Sequence, residues 1–328
     1  MQPFQEKPRC DRLESMRIFV IGHTKPDLDS VASAYEYAEF LKKSKRYEGA
    51  EVIAAIADNI NKETEFIFRK YYIDKPRLLD EYEIGPEDAF ILVDHNEESQ
   101  RHKKIPADQV IEIVDHHKIN VNFNSPVRID VKPVGCTGTL ISELFDMYGI
   151  EPSNETKCLI LAGIISDTVG LKSSTTTGKD SEVAHKIARE TNTDLEKLTF
   201  DIFKAKSDIE GMSPADLARK DFKVFEFGGV RVLINQIETV EPERLIAMKD
   251  DLAKALEEAK TQENASQGYI FITDILKINS QAIYSNETER KIIEKAFITE
   301  GKDGIADIGP KMSRKKDIAP AIEKALQN

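Results

Sequence analysis

Three apolar runs of strand length, each closing on an acid or an imidazole, constrain this 328-residue chain more than any other feature. MRIFVIGH ends at Gly22-His23, AFILVDH at Asp94-His95 and VIEIVDHH at Asp115-His116-His117. Helical periodicity follows the first run through Val31, Tyr35, Ala38 and Leu41. It returns over Lys62 to Tyr72, Thr139 to Met147, Thr156 to Ser166 and Ser181 to Glu190, and Glu51 to Ala57 is a further strand. Strands alternating with helices predict an α/β fold, a mainly parallel sheet with helices on both faces. Ligand sites of open parallel sheets lie outside the carboxyl ends of the strands, so these acids and imidazoles are expected on one rim.

The periodicity breaks between Lys204 and Pro214, where Lys, Asp, Gly, Met, Ser and Pro intervene. Beyond it the pattern predicts a hairpin, Phe222 to Phe227 and Val230 to Asn235 turning at Gly228-Gly229. A charged helix follows from Pro242 to Lys260, then strands over Gly268 to Leu276 and Gln281 to Tyr284. The expected organisation is a disordered lead-in over 1–15, a metal-binding domain over 16–205 and a smaller mixed α/β domain over 206–328.

Composition excludes several classes. A net charge of -12 argues against a broad nucleic-acid surface, which needs a positive field, although metal ions and a few cations can still reverse the sign within one cleft. Neither a secretory signal nor an apolar run of the roughly 20 residues that span a bilayer is found, so no membrane partner is expected. Cys10, Cys136 and Cys158 form no CxxC pair, which fits a reducing, cytoplasmic setting. GKD at Gly178 lacks the rest of a P-loop, and neither GxGxxG nor GxSxG occurs in a fitting context.

The loop GHTKPDLDS adds His23, Asp27 and Asp29, and CLILAGIISDT ends in Asp167. One of the loop carboxylates suits the N-cap of the following helix, which leaves His23 and the other unexplained. Asp167 suits either an exposed helix end or a metal ligand. Together His23, His116, Asp27, Asp29, Asp94 and Asp167 make two imidazoles and four carboxylates, with no cysteine placed to join them. Mixed nitrogen and oxygen ligation suits Mn²⁺, Co²⁺ or Mg²⁺ better than a thiolate zinc site. That number suits a pair of ions, and two ions about 3.5–4 Å apart can activate a bridging water and clamp a phosphoryl group. His117 beside a ligand is expected to touch substrate or a leaving oxygen, and Asp115 to orient an imidazole. His95 is expected to pack, and His102 and His185 to lie in solvated stretches without a role. MSRKKDIAP places Arg314, Lys315 and Lys316 before a helix whose dipole opposes them, which favours phosphate binding by Arg314 over a merely solvated face.

GHTKPDLDS, DHN at Asp94, DHH at Asp115, GCTGT at Gly135, SDT at Ser166 and SSTTT at Ser173 resemble the DHH phosphoesterase superfamily. SRKK at Ser313 narrows the resemblance to its family II, manganese-dependent inorganic pyrophosphatase branch. The resemblance implies a catalytic domain linked to a C-terminal substrate-binding domain, with the site in the cleft between them. It implies that His23, Asp27 and Asp94 hold one ion, and that Asp29, Asp94, His116 and Asp167 hold the other, Asp94 bridging. His117, Lys223, Arg314 and Lys315 match its catalytic and substrate-binding positions. The implied reaction is attack of a metal-bridging hydroxide on pyrophosphate, with two Mn²⁺ or Co²⁺ bound, Mg²⁺ entering with substrate, and a homodimer. Lys25 and Ser174 depart from the family pattern at positions where Asn and Pro are more usual. Exopolyphosphatase is the nearest alternative. A DHH phosphodiesterase acting on short oligonucleotides or cyclic dinucleotides is another, although the GGGH-like segment of such relatives is absent from this sequence.

Overall fold

The computed structural model describes residues 16–207 and 209–327, and the expected lead-in over 1–15 lies outside them. The chain divides into two compact units between Lys206 and Ser207.

In the first unit the strands are β1 (Arg17–Ile21), β2 (Glu51–Ile56), β3 (Arg77–Leu78), β4 (Ala89–Val93), β5 (Val110–Asp115) and β6 (Arg128–Val131). The helices are α1 (Leu28–Ser44), α2 (Lys62–Lys70), α3 (Thr137–Tyr148), α4 (Asn154–Asp167), α5 (Gly178–Glu190) and α6 (Leu195–Lys206). The sheet order is β3-β2-β1-β4-β5-β6, and every pairing is parallel. The order reverses between β1 and β4, so chain connections leave those two strands in opposite directions and open a crevice at their carboxyl ends.

The apolar runs are continuous because both faces of the sheet are covered. Ile18 and Val20 pack with Tyr37, Phe40, Leu140 and Phe145 on one side. Phe19 and Ile21 turn to the other, with Leu79, Phe90, Leu92 and Ile113. Burial of each large side chain contributes roughly 1.5–3 kcal/mol. Glu112 interrupts β5 with a fully buried carboxylate, held by Tyr37 Oη at 2.7 Å, Tyr47 Oη at 2.9 Å and Arg46 Nη1 at 2.7 Å. A buried charge needs such partners.

The second unit contains α7 (Pro214–Arg219), β7 (Phe222–Phe227), β8 (Val230–Thr239), α8 (Pro242–Ala247), α9 (Lys249–Gln262), β9 (Gln267–Asp274), β10 (Asn279–Ile283), α10 (Glu287–Phe297), β11 (Ile305–Gly309) and α11 (Ala319–Gln327). Its sheet runs β11-β10-β9-β8-β7, antiparallel except for β8 with β9. The hairpin turns at Gly228-Gly229, whose φ values of 58° and 85° suit residues without a Cβ. The single charged helix expected after Pro242 is two helices broken at Met248. The short edge strands β3, β6 and β11 carry too few residues to show a period. Among the described residues no helix is long and apolar enough to cross a membrane.

Gly22 lets β1 approach α1. A Cβ there would sit 1.9 Å from Ser30 Oγ and 2.6 Å from its carbonyl oxygen, whereas one at Gly178 meets nothing within 4 Å. Gly22→Ala is therefore expected to lower stability by about 1–3 kcal/mol, and Gly178→Ala to leave it unchanged or slightly raised. Denaturant midpoints of the two variants check this; equal midpoints would refute the close approach.

Candidate metal centre

The carboxyl ends of β1, β4 and β5 bring the predicted residues of the first unit together. At the end of β1, the His23 N–H donates to Ser30 Oγ at 2.9 Å, and ring Nδ1 lies 2.8 Å from the Thr24 carbonyl. With Nδ1–H committed there, Nε2 faces Asp27 Oδ1 at 3.6 Å and Asp94 Oδ2 at 3.5 Å. Asp27 is also the N-cap of α1, accepting from the Ser30 N–H at 3.1 Å, so it serves the helix and the site together. Lys25 between them has φ of 54°; its N–H donates to Asp58 Oδ2 at 2.7 Å and its side chain is exposed.

Asp29, two residues beyond Asp27 in the first turn of α1, is fully buried against the N-terminus of α3. Its Oδ2 accepts from the Thr137 N–H at 2.7 Å, and Oδ1 accepts from the Gly138 N–H at 3.2 Å and Ser33 Oγ at 3.0 Å. The orphan amides and positive end of α3 thus hold this acid. Burial and the nearby Asp94 charge still push its carboxyl up, to about 7.

Asp94 directly follows β4 with φ of 59°, a conformation that costs a non-glycine residue roughly 1–3 kcal/mol and concentrates at functional sites. Its N–H continues the ladder to the Val114 carbonyl at 3.0 Å, which holds the turn. The carboxylate is 1% exposed and accepts from Thr137 Oγ1 at 3.0 Å. His116, at the end of β5, fixes its ring through Nδ1 and the Val134 carbonyl at 3.0 Å. Its buried Nε2 has no hydrogen-bond partner; it stands 3.4 Å from Asp94 Oδ1 and 3.9 Å from both Asp29 Oδ2 and Asp167 Oδ2. Burial opposes charge on Asp94, but the two imidazoles outweigh it and hold the carboxyl below the usual range. The converse holds for the rings. Burial would lower both, yet contacts to Asp27 and Asp94 raise His23 to about 11, and Asp94 and Asp29 raise His116. Asp167 ends α4, where burial and the charges of Asp29 and Asp94 push it well up.

These donors fit divalent cations. Among the described residues the buried His116 Nε2 has no hydrogen-bond partner, and the ring is fixed through Nδ1, so Nε2 can serve as a ligand once deprotonated. Several carboxylates converge at distances too long for hydrogen bonds. His23, Asp27 and Asp94 offer ligand atoms mutually within 4.8 Å, and so do Asp29, Cys136 and Asp167. Cys136 corrects the expectation that no cysteine joins the group. Its Sγ donates to Asp29 Oδ1 at 3.1 Å because α1 and α3 pack together. Burial raises its thiol pKa well up, so it is a hydrogen-bond donor rather than a thiolate.

His117 is half exposed, and its Nδ1 lies 2.9 Å from Asp115 Oδ1. Asp115 also accepts the N–H groups of His116 and His117 at 2.7 and 3.0 Å and Asn96 Nδ2 at 2.6 Å. The Asp115 bond raises the His117 ring above its usual value and leaves Nε2 directed away from that bond. His95 is fully buried, with Nδ1 on the Val93 carbonyl, and burial lowers it to about 4. His102 is 5% exposed rather than solvated, near Asp80, while His185 is exposed. Lys223 and Lys315 are exposed in the second unit; Arg314 opens a π-helical turn, Arg314–Ile318.

Thr137 and Asn96 sit inside the quoted GCTGT and DHN motifs, yet nothing local predicts which carboxylate each meets. Asp180 was missed altogether. It is fully buried and ties GCTGT to the Thr run by accepting from the Gly135 N–H at 2.9 Å, Thr139 Oγ1 at 2.6 Å and Thr177 Oγ1 at 2.6 Å.

Comparison with known proteins agrees with this architecture. Residues 17–164 match the DHH family, N-terminal domain, and residues 201–325 match the DHHA2 domain. A manganese-dependent inorganic pyrophosphatase of Methanocaldococcus jannaschii is 36% identical over 316 residues, covering 94% of this chain and 98% of the relative. A namesake from Methanothrix thermoacetophila is 33% identical over 312 residues, covering 94% of this chain and 98% of the relative. A crystal structure from Methanococcus jannaschii, provisionally described as a family II inorganic pyrophosphatase, superposes with a TM-score of 0.58 at 35% identity, covering 95% of this chain and 100% of that one. An exopolyphosphatase-related protein of Bacteroides fragilis shares the fold alone, at 15% identity and a TM-score of 0.50, over 95% of this chain and 92% of that one. The chain belongs to the manganese-dependent, family II inorganic pyrophosphatases of the DHH superfamily.

Proposed function

We propose that this chain hydrolyses inorganic pyrophosphate to two phosphates, the first unit being catalytic and metal-binding and the second substrate-binding. The supporting observation is the Asp94 carboxylate, reached from two sides by the Nε2 atoms of His23 and His116. The chain is also 36% identical to a manganese-dependent inorganic pyrophosphatase. His23, Asp27 and Asp94 would hold one manganese, and Asp29, Asp94, His116 and Asp167 a second. Bound there, the two ions supply Lewis-acid charge and lower the pKa of coordinated water. The four carboxylates nearly balance two divalent ions, so the filled site accepts a polyanion. Asp115 holds Nδ1–H of His117 and favours the imidazolium form of the ring, whose Nε2–H would be passed to the leaving phosphate oxygen. Arg314 binds phosphate oxygens as a planar fork, and Lys223 and Lys315 bind them as point charges.

The nitrogen and oxygen donors also suit Co²⁺, and Mg²⁺ enters as the hard-oxygen complex of the substrate. The edge strand β6, where Ile129 is 40% exposed, offers a pairing surface for a homodimer. Cys136 and Cys158 are free thiols, in keeping with the cytoplasm.

Metal-stripped protein resupplied with Mn²⁺ is expected to release phosphate from pyrophosphate much faster than from tripolyphosphate or a dinucleotide. Faster release from either of the others would overturn the substrate and direct attention to Lys25. Asp94→Asn, which keeps the shape and loses the charge, should lower turnover on the order of a thousandfold and reduce bound Mn²⁺. Near-normal activity with full manganese content would contradict a shared carboxylate.

A pH dependence follows from the raised imidazoles. At neutral pH, His23 and His116 of the metal-free protein are imidazolium, and each must lose its proton to ligate. Manganese affinity should therefore climb as pH rises toward about 10 to 11, with proton release on uptake below that range. For the metal-free fold the sign is opposite. Through His23, stability is fully present below the ordinary imidazole pKa and fades as pH rises toward about 11. Calorimetry in buffers of different ionisation heat reads the release; uptake without it would exclude these ligands.

A further inference from the structure

Arg314 is held by a closed set of hydrogen bonds in the second unit that no ligand or substrate role yet explains. Its side chain is only 12% exposed. Nη1 donates to the Asp221 carbonyl oxygen at 2.6 Å, and Nη2 donates to Asp221 Oδ1 at 2.8 Å. The Arg314 N–H donates to Gln236 Oε1 at 3.1 Å. Gln236 completes the circuit: its own N–H donates to that same Asp221 carbonyl at 3.0 Å, and its Nε2 donates to the Met312 carbonyl and Thr273 Oγ1, both at 2.9 Å. Gln236 on β8 thus fixes where the Arg314 backbone lies, and Asp221, just before β7, fixes where the guanidinium points.

Two features distinguish this clamp from an ordinary surface ion pair, which contributes little to stability. It is two-pronged and engages one residue only, so of the five N–H donors of the guanidinium three remain for an incoming anion. Asp221 is also two residues before Lys223. Asp221 is the turn residue that leads directly into β7, and Lys223 is the second residue of that strand. The clamp thereby joins the Lys223 strand to the turn that carries Arg314 and Lys315.

We infer that Asp221 is the positioning residue for Arg314, presetting its guanidinium to receive a phosphate group of the phosphoanhydride substrate. This rests on the reading that Arg314 binds substrate. Pre-orientation of a flexible cation removes an ordering cost from binding, so the effect belongs in KM.

The test uses the full-length, manganese-loaded protein with Asp221→Ala, Asp221→Asn, Arg314→Ala and the Asp221→Ala/Arg314→Ala double variant. Asp221→Ala should raise KM for pyrophosphate roughly tenfold with a smaller change in kcat. Asp221→Asn, which retains an Oδ1 acceptor, should recover much of that loss, while melting temperature and manganese affinity stay at wild-type values. In the Arg314→Ala background, removal of Asp221 should add nothing. An unchanged KM in Asp221→Ala would overturn the inference. A lowered KM would do the same, because Asp221 would then be competing with substrate for Arg314. So would an equal penalty with and without Arg314. If the wild-type protein releases no phosphate from pyrophosphate, the proposed reaction fails by itself, and binding of inorganic phosphate decides the inference. Weaker phosphate binding in Asp221→Ala only when Arg314 is present supports it; any other pattern overturns it.

Discussion

A buried carboxylate stays ionised only with a counter-charge or a set of hydrogen-bond donors, and at Asp94 the first unit supplies imidazoles from two sides. The residue is 1% exposed, adopts a left-handed backbone, and carries its acid between the Nε2 atoms of His23 and His116. Each ring is turned toward it by a backbone carbonyl at the opposite nitrogen, Thr24 for His23 and Val134 for His116. Burial opposes it, but the carboxylate raises both rings above the usual imidazole range, which favours their charged forms in the metal-free protein. On the proposed reading the same nitrogens would ligate manganese once neutral, so that metal and protons would compete for one set of atoms.

The sheet makes that meeting possible. β1, β4 and β5 lie side by side and parallel, so their carboxyl ends share one rim, and the reversal of strand order between β1 and β4 keeps helices from closing over it. The helices contribute from the other side. α1 carries Asp27 and Asp29 in and just before its first turn, α3 presents its amide N–H groups to Asp29, and α4 ends in Asp167. Strain at Asp94 is opposed by its ladder bond to Val114 and by Thr137 Oγ1, so the costly conformation is held from the backbone and from the side chain.

The second unit carries cations that differ in their surroundings, two of them exposed lysines and one an arginine paired with a carboxylate. Lys223 and Lys315 are exposed, and Arg314 keeps donors free while two are bound by Asp221. The π-helical turn at Arg314–Ile318 is stabilised by Ser313, whose Oγ accepts from the Lys316 N–H at 3.1 Å, and by Asp317, which accepts from the Ser313 N–H at 2.9 Å. A short irregular turn with local carboxylates and hydroxyls can therefore carry three successive basic residues ahead of α11.

The sequence by itself determined four of the six strands of the first sheet, β1, β2, β4 and β5, and the chemical types at the ends of β1, β4 and β5. Apolar runs bounded by Asp and His are local patterns, and a strand covered on both faces is apolar except where a buried polar group, as at Glu112, has its own partners. It also determined that His23, Asp27, Asp29, Asp94, His116 and Asp167 were the residues to compare, since each lies at the close of an apolar segment or in the loop after one. Only the tertiary structure decided how they meet. That Asp29 rests on the N-terminus of α3, that Cys136 donates to it, and that Thr137 reaches Asp94 are contacts between segments far apart in the chain. No periodicity encodes them. The same is true of His102, buried despite its polar neighbours, and of Asp221 with Arg314, 93 positions apart. Pattern along a chain reports which face of an element is dry; which atoms then lie within bonding distance is set by how separate elements pack.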